Sequence, residues 1–133
     1  PELLNSSILE NIVMGRELDM EKVQKICKQT DLMGIISTHS EGLLSNLGED
    51  GSHLSGGEKG KISLARALYS SPEILIIDEG SSHLDTQNKE KFLGIIRKLN
   101  SEGMTIVMIS HDENENRTEG NILTIDNTDA HQR

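Results

Sequence analysis

Apolar residues fall along this chain in two kinds of spacing. In four stretches they recur three or four positions apart, as on one face of a helix. Asp19 can cap a helix from about Met20 to Lys28, with Met20, Val23, Ile26 and Cys27 on one face. Thr30 or Asp31 can cap a second, with Leu32, Ile35 and Ile36 buried. A third runs from Gly57 to about Tyr69, with Ile62, Leu64, Ala65 and Leu68 apolar, and Ser70-Ser71-Pro72 ends it. The fourth follows Asp85 from Thr86 onward, presents Phe92, Ile95, Ile96 and Leu99, and ends at Asn100 to Gly103. Two other stretches are continuous apolar runs, Ile74 to Ile77 and Thr105 to Ile109, the pattern of strands buried in a parallel sheet. Asp112 to Gly120 is polar and acidic without periodicity and reads as a loop. Ile122 to Ile125 reads as a last short strand, and Asn127 to Arg133 as a frayed end.

Composition narrows what can fill the core. The chain has 133 residues, one domain by length, with 34% hydrophobic and 2% aromatic residues. Phe92 and Tyr69 are its only large rings, so the core must be built from Ile, Leu, Val and Met. A net charge of −9 argues against a nucleic-acid surface, which needs clustered Lys and Arg. The single cysteine, Cys27, excludes an internal disulfide and fits a reducing compartment; its spacing with Val23 and Ile26 marks a small core residue. No apolar run approaches the roughly 20 residues needed to cross a bilayer, and none of these residues reads as a signal peptide.

The candidate chemistry lies in two places. Leu54-Ser55-Gly56-Gly57-Glu58 reads as a phosphate-contacting turn that opens a helix. Ser55 can cap it, the two glycines let the backbone come close to an anion, and the free N–H groups of a helix start favour phosphate. The strand Ile74 to Ile77 ends in two carboxylates, Asp78 and Glu79, delivered to a sheet edge. Asp78 is placed to hold Mg²⁺, and Glu79 to orient or deprotonate an attacking water. An anion-binding helix start, a metal carboxylate and a base together suggest hydrolysis of a nucleoside triphosphate. Asp85 also reads as a plain helix N-cap, Gly48 to Gly51 as a plain turn, and His111 alone as structural.

Leu54 to Leu68 (LSGGEKGKISLARAL) resembles the signature motif and helix of ABC-transporter ATPase domains. Ile74 to Asp85 (ILIIDEGSSHLD) resembles their Walker B strand and D-loop, and Ile109-Ser110-His111-Asp112 their switch-histidine loop. Pro1 to Gly15 resembles the segment after the Q-loop of exporter-type domains. Ser45 to Gly51 (SNLGEDG) resembles the short loop that precedes the exporter signature, its Gly-Glu-x-Gly being Gly48, Glu49, Asp50 and Gly51. The sequence departs from the pattern in several places. Glu58 stands where Gln is frequent, Gly60-Lys61 replaces a frequent Gln-Arg pair, and a polar stretch stands at Asp112 to Gly120 where relatives have a helix. His83 occupies a position that is usually small and is given no catalytic role. No G-x-x-x-x-G-K-[ST] occurs in the 133 residues, so the chain reads as the C-terminal part of such a domain, a truncated one whose sheet should leave apolar surface exposed.

The resemblance implies an α/β fold. Residues 1–70 would form the helical subdomain with the signature helix, and residues 71–133 the C-terminal part of a RecA-like P-loop NTPase parallel sheet. It implies ATP and Mg²⁺ as cofactors and a head-to-tail dimer with a second nucleotide-binding domain. Ser55, Gly56, Gly57 and Glu58 would contact the opposite subunit's ATP; Asp78 would hold Mg²⁺; Glu79, His111 and Asp85 would serve catalysis. Transmembrane domains outside this sequence would be contacted through the helical subdomain and Gly48 to Gly51, on the cytoplasmic side of the cell membrane. The implied function is the coupling of ATP hydrolysis to export, with no nucleic-acid partner, and the 133 residues by themselves should be inactive. Two rivals remain. DNA-repair and chromosome-organising ATPases share these motifs but carry long heptad-rich coiled coils, and no heptad run is present here. A half-domain that only binds a partner would need no phosphate loop.

Overall fold

The computed structural model describes residues 2–48, 51–78 and 85–109. Its elements run α1 (Ile8–Val13), α2 (Met20–Gln29), α3 (Met33–Thr38), a 3₁₀ turn (Gly42–Leu44), α4 (Gly56–Tyr69), β1 (Ile74–Asp78), α5 (Thr86–Ser101) and β2 (Thr105–Ile109). This is a mixed architecture, helices packed around α4 and a small parallel sheet. Four of the helices and strands expected from apolar spacing, α2, α4, β1 and β2, fall within a residue of their expected limits, and α5 starts at Thr86 as expected.

The N-caps were largely legible. Asp19 accepts from the Lys22 N–H at 3.0 Å and Asp85 from the Asn88 N–H at 2.9 Å. The start of α3 is different from expectation. Thr30 closes α2 instead, its hydroxyl donating to the Ile26 carbonyl at 2.8 Å. Asp31 takes a left-handed conformation with φ +54°, which a short polar side chain tolerates. Leu32 therefore occupies the cap position of α3, with no side-chain hydrogen bond. Leu32 and Ile35 are buried as expected, whereas Ile36 is half-buried and Met20 exposed.

The sequence reading placed no helix in the first 15 residues, yet α1 forms there. Its signal is present: Ser7 accepts from the Glu10 N–H at 3.1 Å, the S-x-x-E spacing of a helix start. Six residues cannot hold a helix alone, so α1 depends on packing against α4, where Ile8 and Ile12 are fully buried.

α4 gathers the other helices around it. Its Ile62, Leu64, Ala65 and Leu68 enter the common core. Near its end the Tyr69 hydroxyl donates to the Glu17 carbonyl at 2.6 Å and accepts from the Asp19 N–H at 2.9 Å, fixing the start of α2. The Lys22 ammonium lies 4.9 Å from the centre of the same ring. On another side of α4 the Lys61 ammonium binds the Asp31 carboxylate at 2.6 Å and its carbonyl at 3.3 Å, steadying the left-handed turn between α2 and α3.

β1 and β2 pair in parallel in a register that sets Ile74 beside Thr105 and Asp78 beside Ile109. α5 makes the crossover between them, as parallel pairing requires. Leu75 and Ile77 are buried with Phe92, Ile95, Ile96 and Leu99 in the core. The opposite face corrects the reading of both strands as fully buried. Ile74 and Ile76 are 55% and 66% exposed, and Val107 and Ile109 46% and 47%. Successive strand side chains point to opposite faces, so covering one face with α5 leaves the other open. This is the exposed apolar surface that the sequence led us to expect.

Candidate functional site

Ser55 sits at the N-cap of α4 in extended conformation, with φ −67° and ψ 160°. Its side chain accepts from the Glu58 N–H at 3.3 Å, and the Ser55 N–H donates to the Glu58 carboxylate at 2.8 Å. This reciprocal pair holds the first turn of α4 rigidly, with Gly56 and Gly57 as its first two helical residues. Leu54, buried, anchors the turn to the core from the other side. Glu58 thus acts as the capping partner of Ser55, a role that Glu and Gln can both fill.

Gly57 lies against α5. A Cβ added there would stand 3.4 Å from the Asn88 side chain, ordinary contact distance. Asn88 in turn donates to the Asp85 carboxylate twice, from its backbone at 2.9 Å and its side-chain amide at 2.7 Å. The backbone hydrogen bond from Asn88, then its side-chain one, hold the Asp85 carboxyl below its ordinary pKa. The structure therefore brings the Ser55 to Glu58 turn beside the start of α5, with Asn88 between them. Sequence reasoning missed Asn88; its position three residues after a capping aspartate was the available signal.

Asp78 is the last residue of β1, exposed at the C-terminal end of the parallel pair beside Ile109. Ligands of open α/β sheets bind at such ends. Glu79, Gly80 to Leu84 and His111 lie outside the described residues, as do Glu49 and Asp50, the polar stretch from Asp112 and the strand expected at Ile122 to Ile125. Among the described residues no group of three His, Cys, Asp or Glu side chains is arranged to hold a metal by itself.

The family model for ABC transporters matches residues 2–82, more than half of the chain. The chain belongs to the ABC transporter family. It is 36% identical over 126 residues to an ATP-dependent lipid A-core flippase of Saccharophagus degradans, an alignment covering 94% of this chain and 21% of the flippase. It is 38% identical over 110 residues to a leukotoxin translocation ATP-binding protein of Mannheimia glucosida, covering 82% of this chain and 15% of that protein. Among solved structures, a bacterial Atm1-family ABC exporter with ATP bound superposes with a TM-score of 0.71 at 33% identity, over 83% of this chain and 19% of the exporter chain. The chain thus spans about a fifth or less of the length of these relatives. As a member of the ABC transporter family it has a mixed fold that matches part of an ABC exporter's nucleotide-binding domain, and these relatives are exporters rather than DNA-repair ATPases.

Proposed function

We propose that this chain supplies the signature turn and the sheet-edge carboxylates of an ATP-hydrolysing module that drives export across a membrane. The observation that carries the reading is the Ser55 to Glu58 capping box, which fixes the helix start and its two glycines beside α5. In this reading residues 1–70 act as the helical subdomain and residues 71–133 as part of the RecA-like core. Two copies meet head to tail. Ser55, Gly56 and Gly57 of one copy direct the hydroxyl and backbone N–H groups at the terminal phosphate of the ATP held by the other, a contact favoured by the partial positive charge of a helix start.

The exposed Asp78 carboxylate suits Mg²⁺, which takes one or two carboxylates and otherwise phosphate oxygens and water. When bound, Mg²⁺ would offset the charge of the phosphates. Glu79, one residue further in the sequence, would orient or deprotonate the attacking water, and His111, two residues after β2 in the sequence, would sense the terminal phosphate. Asp85 caps α5 and reaches the interface between copies as a carboxylate already held by Asn88. Transmembrane domains, reached through the helical subdomain and Gly48 to Gly51 on the cytoplasmic side, convert closure and opening of the pair into transport. No described helix is long and apolar enough to cross a membrane.

The test is Glu79→Gln in the protein that carries this chain. Amide for carboxylate keeps the shape and removes the base. ATP should still bind with wild-type affinity while turnover falls by about 100-fold or more. Wild-type turnover in that variant would contradict the assignment.

A further inference from the structure

Arg66 lies in the third turn of α4, well away from Ser55, and has no part in the chemistry above. Its guanidinium nevertheless makes three hydrogen bonds to the start of the chain. Nε donates to the Asn11 carbonyl at 2.8 Å, Nη2 to the Asn11 side-chain oxygen at 2.8 Å and Nη1 to the Glu2 carbonyl at 3.0 Å. The Asn11 carbonyl belongs to the last turn of α1, where carbonyls have no partner within the helix. Asn11 is fully buried and saturated. Its oxygen also accepts from the Leu4 N–H at 2.8 Å, and its amide donates to the carbonyls of Leu4 and Ser7, each at 3.0 Å. Arg66 and Asn11 together fasten residues 2–11 to the signature helix.

Those residues also hold the approach to Ser55. Ser6 accepts from the Leu47 N–H at 3.0 Å, and the Ile8 N–H donates to Ser45 at 3.1 Å, around a bridge between Ser7 and Asn46. Leu3 is buried close to Gly51; a Cβ added to that glycine would stand 3.0 Å from the Leu3 Cδ1 and 3.4 Å from that of Leu54. The contacts run from Arg66 to residues 2–11, across to Ser45, Asn46, Leu47, Gly51 and Leu54, and back into α4 through Ser55. The loop that delivers the signature turn is thereby held between two points of one helix.

We propose that Arg66 is a positioning residue for the signature turn, acting through Asn11 and the chain start. The clamp stands on geometry alone; its consequence for turnover rests on the reading of Ser55 to Gly57 as a nucleotide contact. Arg66→Lys tests it, because lysine keeps the charge but cannot span three acceptors in a fork. Amide hydrogen exchange on the 133-residue chain reads the clamp directly. The amides of Leu4, Ile8, Leu47, Leu54 and Lys59 should exchange about tenfold faster, while those of Phe92 to Ile96 in α5 stay within about twofold. Uniform acceleration that includes α5, or unchanged Leu54 and Lys59, would overturn the proposal. If Arg66→Lys fails to fold, Asn11→Asp takes its place. It keeps the acceptors for Arg66, removes both amide donors to Leu4 and Ser7, and should loosen the same set. In the protein that carries this chain, Arg66→Lys should lower kcat for ATP about fivefold with KM within about twofold. Loosened amides with unchanged kcat would overturn the positioning role. Ser55→Ala, run beside it, separates the two failures: if that variant also turns over normally, the reading of the turn is what fails.

Discussion

Cys27 shows how far a single side chain could be read in advance. Its spacing with Val23 and Ile26 marked it as a core residue, and it is buried on α2. Burial pushes the thiol up to about 11, because the thiolate would lose its hydration. The fold therefore favours the protonated form. That contribution is whole below about pH 9.0, the ordinary value of the unfolded thiol, and is lost as pH rises toward 11. The melting temperature of the wild type should fall more steeply between those pH values than that of Cys27→Ala. Native Cys27 should also react with thiol reagents at pH 8 about 100-fold more slowly than after unfolding. Parallel slopes for the two proteins would contradict this. Asn11 and Arg66 were invisible at the same scale. Nothing in the sequence pairs an asparagine with an arginine 55 positions away; only the closing of the chain does.

Elements were legible where local chemistry and packing agree. The capping aspartates and Ser55 announce α2, α5 and α4, and each forms its side-chain cap. α1 went unread because a six-residue helix exists only through its contact with α4. The cap of α3 was misread because Thr30 is already committed to the end of α2. The strands were recognised as strands, but a run of branched residues does not say whether one face or two are covered. Within α4, Gly60 is a departure whose energetic effect can now be stated. A Cβ there would stand 3.9 Å from the Phe92 ring, an ordinary contact. A glycine inside a helix costs about 0.5–1 kcal/mol relative to alanine. Gly60→Ala should raise the unfolding free energy by about that much in a urea titration. A loss of stability would mean that α4 and α5 are packed more tightly here than their separation indicates.

At the scale of the whole molecule, α4 joins two jobs. Its first turn carries the candidate nucleotide contact, and farther along Lys61, Arg66 and Tyr69 each tie down a different part of the chain. A displacement of the first residues or of the turn after α2 is therefore a displacement of α4. The family was legible because its motifs are local strings in a fixed order. The ties that position them were not, because they join residues 30 to 64 positions apart. The central claim is that Ser55 and its glycines complete an ATP site on another copy. The measurement that tests it most directly is steady-state ATP turnover by the protein that carries this chain, with Ser55→Ala against wild type. Loss of the hydroxyl should leave ATP affinity within about twofold and lower turnover about tenfold or more, as removal of a donor aimed at developing charge does. Unchanged turnover would show that the turn is a well-capped helix start and nothing more.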